Sequence, residues 1–453
     1  MLRIASKLSS GISSSSTALT ANQFPTRLSP LPTSLFRSFT NGLELEANMV
    51  VPDAISMINY AMKQWRNERS LGAFRMGLAV LKHCINMELT EGKDPTRENS
   101  KGMAMLAMST MLYERGEYTE AVEKLEDVQE LTNSYLGVRV AALETQAGLY
   151  LELRQDDLAA AVADKCMKVV ENQQQARDFE AQFVRAKALK GLIELVNGNV
   201  DSAEDFFDKS LGDKYCDGIS SCSQSNLANI FRLRLMFGFV GTAGLSYAEF
   251  LHKIQNYSKA KEVYRNVALG ATYVKRSGKP YLGAGNMSVD ELIVGSMCAS
   301  GQLEALMGNF YYAENSLSQA VSRAEEAYGD SKHPTLGVAL ASIALMYRRR
   351  AMQEFSSALL IQEGLYRKVI DILKVPSVET ENEGSAPLVD RSDIAALARG
   401  AYAEVLSVQE NRKDEGEKMK KLAESIWKNR NMSLADALDT DKNIIDSRIS
   451  RLL

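Results

Sequence analysis

The chain has 453 residues, 53 of them Lys or Arg and 57 Asp or Glu, for a net charge of −4, with 45% hydrophobic and 24% charged residues. This is ordinary globular usage, enough for two or three compact domains or for one long repeat array. The five cysteines, Cys84, Cys166, Cys216, Cys222 and Cys298, are scattered, odd in number and without a CxxC pair, which argues against a disulfide framework.

Residues 1–43 hold no acidic residue, carry Arg3, Lys7, Arg27 and Arg37, and include a serine run and three prolines; the first acid is Glu44. An acid-free, arginine-bearing, serine-rich leader whose first turn is amphipathic (Leu2, Ile4, Ala5, Leu8) has the composition of an organelle transit peptide. Arg37-Ser38-Phe39 before Thr40 resembles the arginine-type mitochondrial processing pattern, so residues 1–39 read as a mitochondrial transit peptide and the matrix as the destination. Serine content alone also allows a chloroplast address. Removing residues 1–39 moves the net charge from −4 to −8, so the working protein is acidic.

From residue 40 the chain reads as helical. Residues 40–99 are expected to be a linker and a degenerate first hairpin, with the segment MELTEGKDPTREN as the loop after it. No proline interrupts Pro95 to Pro280, and Ala, Leu, Glu, Lys, Met and Gln, all good helix formers, dominate. Apolar residues recur at helical spacing: Ala121, Val122, Leu125 and Val128 share one face, as do Ala203, Phe206, Phe207 and Leu211. The window Leu235–Ala248 is apolar but too short for the roughly 20 residues of a membrane span, so it reads as a buried helix with a bend.

A repeat runs through this region. Tyr118, Leu158, Val200, Tyr257 and Phe310 are each followed three residues later by Ala121, Ala161, Ala203, Ala260 and Ala313. Gly116, Gly198 and Gly308 stand at a turn just before. Upstream, small residues fall where two antiparallel helices would cross: Ser109, Gly148, Gly191, Ala248 and Gly301. Helices about 8 to 10 Å apart leave room only for Gly, Ala or Ser at the crossing, while a large residue such as Phe207 fills the space beside it. One hairpin cannot bury its apolar face alone, so neighbours must stack. The expected fold is all-α, an α-solenoid of stacked antiparallel hairpins over residues 100–373. An acidic linker is expected over 374–391, and C-terminal helices or a cap over 392–453. The stretch Tyr273–Asp290 is a second loop expected at the surface.

The small residue, the turn tyrosine and the alanine, as in QNYSKAKEVYRNVA and GNFYYAENSLSQA, resemble the tetratricopeptide repeat. The spacing is longer than that family's 34 residues. It is similar to the elongated repeats of kinesin light chains and of mitochondrial assembly factors, as is KHPTLGVALASIALMYRRR with its leading His-Pro. The resemblance implies a superhelix whose first helices line a concave, partner-binding groove, here Met103, Leu106, Thr110, Arg185, Ala188, Leu189 and Leu192, and that groove reads as apolar. Members that bind chaperones clamp a C-terminal carboxylate with Lys, Asn and Arg. At the matching positions this chain has Leu106, Thr110, Gln146 and Leu189, which argues against Hsp70 or Hsp90 tails as ligands. The methionines of Met103–Met111 suit an amphipathic partner helix; they equally suit the filling between hairpins.

Catalytic and metal chemistry find no constellation. His83, His252 and His333 fall in different units with no His/Cys/Asp cluster at ligand spacing. His83 and Cys84, adjacent on a helix, do not face each other. Gly283-Ala284-Gly285 lacks the strand and third glycine of a phosphate cradle, and Cys216 and Cys222 are a conceivable redox pair in a loop-like stretch. No catalytic residue, metal or cofactor is therefore expected, and the reading is a non-catalytic, protein-binding scaffold that assists assembly or maintenance of a mitochondrial complex. The alternative is an RNA-associated or mitoribosomal helical-repeat factor. It would need a basic groove, against which the acidic charge stands; Arg348-Arg349-Arg350 is the longest basic run.

Overall fold

The computed structural model describes residues 49–87, 94–176, 178–208, 241–277, 281–329, 333–354, 359–373, 391–429, 431–439 and 443–453, all within the compact unit Phe39–Leu453. The expected transit peptide, the pair Cys216 and Cys222, and the linker up to residue 390 lie outside the described residues. The described residues form 17 α-helices and one two-stranded hairpin. In chain order the helices are α1 (Pro52–Glu68), α2 (Leu71–Asn86), α3 (Pro95–Arg115), α4 (Tyr118–Gln129), α5 (Leu136–Glu152) and α6 (Asp156–Glu171). Then come α7 (Phe179–Val196), α8 (Val200–Asp208), α9 (Thr242–Lys253), α10 (Tyr257–Ser277), α11 (Val289–Leu306) and α12 (Phe310–Tyr328). The last are α13 (Pro334–Glu354), α14 (Leu359–Ile372), α15 (Ser392–Ser407), α16 (Lys413–Ile426) and α17 (Leu434–Asp439), followed by β1 (Ile445–Asp446) and β2 (Arg451–Leu452). Consecutive helices pack as pairs and each pair packs on the next, so the architecture is all-α, a stack of helical hairpins.

One backbone device makes five of these hairpins. Gly116, Arg154, Gly198, Gln255 and Gly308 all take the left-handed conformation, with φ of 84, 58, 80, 65 and 78°. In each, the next residue donates its N–H to a carbonyl five residues back: Glu117 to Leu112, Gln155 to Tyr150, Asn199 to Glu194, Asn256 to Leu251 and Asn309 to Glu304, at 2.8 to 2.9 Å. This is the Schellman closure, which satisfies carbonyls that a helix end leaves open and turns the chain back. The second helix starts at once. Its fourth residue (Ala121, Ala159, Ala203, Ala260 or Ala313) is fully buried against the first helix. Close approach also limits the first helix at the crossing: a Cβ on Gly191 would lie 2.6 Å from the Phe207 ring, and one on Gly301 would lie 2.5 Å from Leu317 Cγ.

The third hairpin corrects the sequence reading. Leu158 and Ala161 are exposed, and the repeat position is held by Asp156 and Ala159 two residues earlier. Its left-handed residue is Arg154, which offers no glycine signal. The small residue at the crossing is accordingly Ala147; a Cβ on Gly148 would instead meet the Met287 methyl at 2.4 Å.

From α3 to α16 the odd-numbered helices lie inside the stack and the even-numbered ones outside. The outer α6 buries one stripe (Ala159, Ala163, Cys166, Val170), as an amphipathic surface helix does. The inner α5, α11 and α15 are buried almost all round. An inner helix with both faces buried needs a cover on its concave side.

That cover is two segments that the sequence reading placed elsewhere. The expected surface loop Tyr273–Asp290 divides: α10 continues to Ser277, and Leu282, Ala284, Asn286 and Met287 are buried. The expected C-terminal helices end at Asp439, and residues 444–453 form the β1–β2 hairpin, every residue of it buried. Arg391, at the edge of the expected linker, is buried and paired with Glu152 at 2.5 Å. The stack also meets itself across the middle. Arg66 of α1 pairs with Asp290 of α11 at 2.7 Å, and the Tyr113 ring of α3 abuts His333, which stacks on Tyr328 of α12 with centroids 3.8 Å apart. No helix of the described residues is long and apolar enough to cross a membrane.

Candidate functional site: the concave face and the segments seated in it

The inner helices present a polar concave face, and residues 281–288 use it first. Thr110 Oγ1 of α3 accepts from the Gly285 N–H at 3.0 Å, and Thr145 Oγ1 of α5 accepts from the Ala284 N–H at 3.3 Å. Arg185 of α7 donates to the Leu282 carbonyl at 2.9 Å and to Glu144 at 2.5 Å. Asn286 Nδ2 donates to Glu152 Oε2 at 3.3 Å. Close passage explains Gly137: a Cβ there would be 2.8 Å from a Leu282 methyl.

The β1–β2 hairpin takes the next stretch. Its pairing is Ile445 with Leu452 and Asp446 with Arg451, and Ser450 turns the chain with φ 52°. Arg448 is fully buried; it donates to Asp446 Oδ2 at 2.7 Å, to Glu249 of α9, to Ser246 Oγ at 3.3 Å and to the Thr242 carbonyl at 3.4 Å. Burial alone would lower its pKa, but Asp446 and Glu249 outweigh that and hold it above the ordinary arginine value, so the guanidinium stays charged. Burial pushes the Glu249 carboxyl well up, against the opposing pull of Arg448. Arg451 makes a two-pronged contact to Asp156, at 2.8 and 3.1 Å, and donates to the Leu151 carbonyl at 3.1 Å. Gln302 of α11 clasps the main chain of Ile445 in both directions, accepting from its N–H at 2.8 Å and donating to its carbonyl at 3.0 Å.

The residues read from the sequence as a groove fall in two places. Arg185, Ala188, Leu189 and Leu192 lie under the seated segments, the last three beside Met287 and Arg448. Met103, Leu106 and Thr110 line a cleft of about 240 Å³ between α1, α3 and α10, with Ile55, Ile58, Asn59, Met62, Val274 and Tyr281. Arg66, Lys275 and the buried Asp290 are its charged lining; burial raises the Asp290 pKa, but Arg66 and Lys275 outweigh that and hold it low. Met103, Met105, Met108 and Met111 are all buried among the first two hairpins, so the thioethers serve as packing there. The repeat-defining residues Gly116, Tyr118, Ala121, Gly191, Gly198, Ala203, Phe207, Tyr257, Ala260, Gly301, Gly308 and Ala313 stand at the turns and crossings described above.

Sequence reasoning missed the hairpin seat: Glu249, Gln302, Asp156, Arg448 and Arg451. Its one signal was Asp446, Arg448 and Arg451 set among Ile444, Ile445, Ile449, Leu452 and Leu453, too short a pattern to separate from a cap. Among the described residues no three His, Cys, Asp or Glu side chains converge as metal ligands. His333 is buried and held well below its ordinary pKa, by burial first and then by Arg391 and Arg69. No protein-family model matches the chain, and a search of curated proteins finds no match.

Proposed function

We propose that the chain is a non-catalytic scaffold of the tetratricopeptide kind, which works in the mitochondrial matrix and holds a protein partner during assembly or maintenance of a complex. The observation that carries this reading is the cleft of about 240 Å³ between α1, α3 and α10, lined by apolar side chains with Arg66, Lys275 and Asp290 as its charged members. Ile55, Ile58 and Met62 of α1 give it a row of half-buried apolar side chains, the kind of surface that an amphipathic partner helix covers.

The RNA reading loses support at its best site. Arg348 donates to Glu404 at 2.6 Å and Arg350 to Glu354 at 2.8 Å, so two of the three guanidiniums in the basic run already face carboxylates. Affinity purification of the tagged chain from intact mitochondria, with and without nuclease, tests the proposal. Subunits of one mitochondrial complex, recovered equally in both samples, are the expected result; ribosomal proteins or RNA lost on nuclease treatment would overturn it.

A further inference from the structure

The β1–β2 hairpin is recognised by the stack as a ligand would be. Its polar contacts come from several separate elements of the stack: Glu249 and Lys253 from α9, Gln302 from α11, the Leu151 carbonyl at the end of α5, Asp156 at the start of α6, and Arg391 ahead of α15, which donates to Ser450 Oγ at 3.4 Å. Gln302 reads main chain in both directions, and Lys253 donates to the Leu453 oxygen at 2.6 Å. Both arginines end on carboxylates that the stack supplies. A buried ion pair often fails to outweigh its own desolvation, so apolar residues of like volume would hold a purely structural plug as well. The seat is also reachable. Clefts of about 400 and 450 Å³ open beside the hairpin; Ile445 and Leu452 form part of the wall of the first, and Arg451 part of the wall of the second.

We infer that residues 443–453 are the resident ligand of a peptide seat on the concave face. The seat takes from a partner protein a bend carrying two arginines three residues apart between branched aliphatic residues, and the partner must displace the chain's own copy. This deepens the scaffold reading and rests on it. The acids that select the arginines are Glu249 and Asp156, and Gln302 fixes the main chain regardless of sequence.

The test uses the full chain with a protease site inserted between Asp439 and Asn443. After cleavage the nicked protein is mixed with a fluorescent peptide of residues 443–453, and exchange is followed by anisotropy while circular dichroism reports the helices. The expected result is exchange without loss of helicity, and a competing peptide carrying R448A and R451A that is weaker by about thirtyfold or more, as for truncation of buried charge pairs. Release of the segment only when the helices melt would overturn the inference, and so would equal competition by the double-alanine peptide. Either failure leaves the scaffold reading standing on the α1/α3/α10 cleft. Conversely, a purified partner that lacks such a segment would count against the arginine-bearing ligand alone.

Discussion

At position 255 an exposed glutamine holds a φ of 65°, in a turn that three other hairpins build with glycine. The left-handed conformation costs a side-chain-bearing residue about 1 to 2 kcal/mol, and glycine gives back part of that gain as unfolded-state entropy. Gln255→Gly should therefore stabilise the chain by roughly 0.5 to 1 kcal/mol in urea denaturation; a loss would mean that the glutamine side chain contributes to the turn. Two other glycines should respond in opposite directions. A Cβ on Gly301 meets Leu317 at 2.5 Å and the Ala313 carbonyl at 3.2 Å, whereas one on Gly364 meets nothing within 4 Å. Gly301→Ala should cost about 1 to 3 kcal/mol by overpacking, and Gly364→Ala should gain about 0.5 to 1 kcal/mol by helix propensity. Melting curves for the pair check both signs. These positions were legible from sequence wherever glycine and alanine marked them. The third hairpin was misread because arginine holds its turn and Leu158, exposed on α6, mimics the marker.

Between elements, buried ionisable groups join helices far apart in sequence. Arg391 leads into α15 and pairs with Glu152 at the end of α5, and its removal leaves that carboxylate buried without its cation. Arg391→Ala should cost about 3 to 5 kcal/mol, visible as a fall in the urea midpoint; a change under about 1 kcal/mol, the scale of a surface pair, would show that the pair contributes little. Glu291 of α11 accepts from Thr335 at 2.7 Å, yet burial outweighs this and, with Glu152 and Asp290 nearby, pushes its pKa from 4.5 up to about 8. Between those values the folded chain keeps a proton that the unfolded chain has released. Stability from this group therefore falls as pH rises from about 4.5 to 8. His333 acts on the acid side: held neutral well below 6.5, it loses stability as pH falls through 6.5. The Glu291→Gln variant should gain on the wild type steadily from pH 5 to 8 in paired melts, on the order of a few kcal/mol at the upper end; parallel curves would show that Glu291 ionises normally. None of this was legible in the sequence, because burial of a glutamate depends on which distant helix packs over it. Helical period and turn spacing are local and were read; the covers over the concave face are not local and were not.

At the scale of the molecule, the described residues form a stack of hairpins whose concave face is partly filled by its own chain, with a cleft left between α1, α3 and α10. The cleft lined by Met103, Leu106, Thr110 and α1 sets the proposed mode of work. The most direct measurement is photo-crosslinking in intact mitochondria from a benzoylphenylalanine placed at Asn59, exposed on the cleft wall, with the same probe at Tyr311 as reference. Tyr311 lies on the outer α12 and is 78% exposed. The account predicts a discrete protein adduct at position 59, unaffected by nuclease and missing at 311. Adducts of equal pattern at both positions, or an adduct at 59 that nuclease removes, would contradict it.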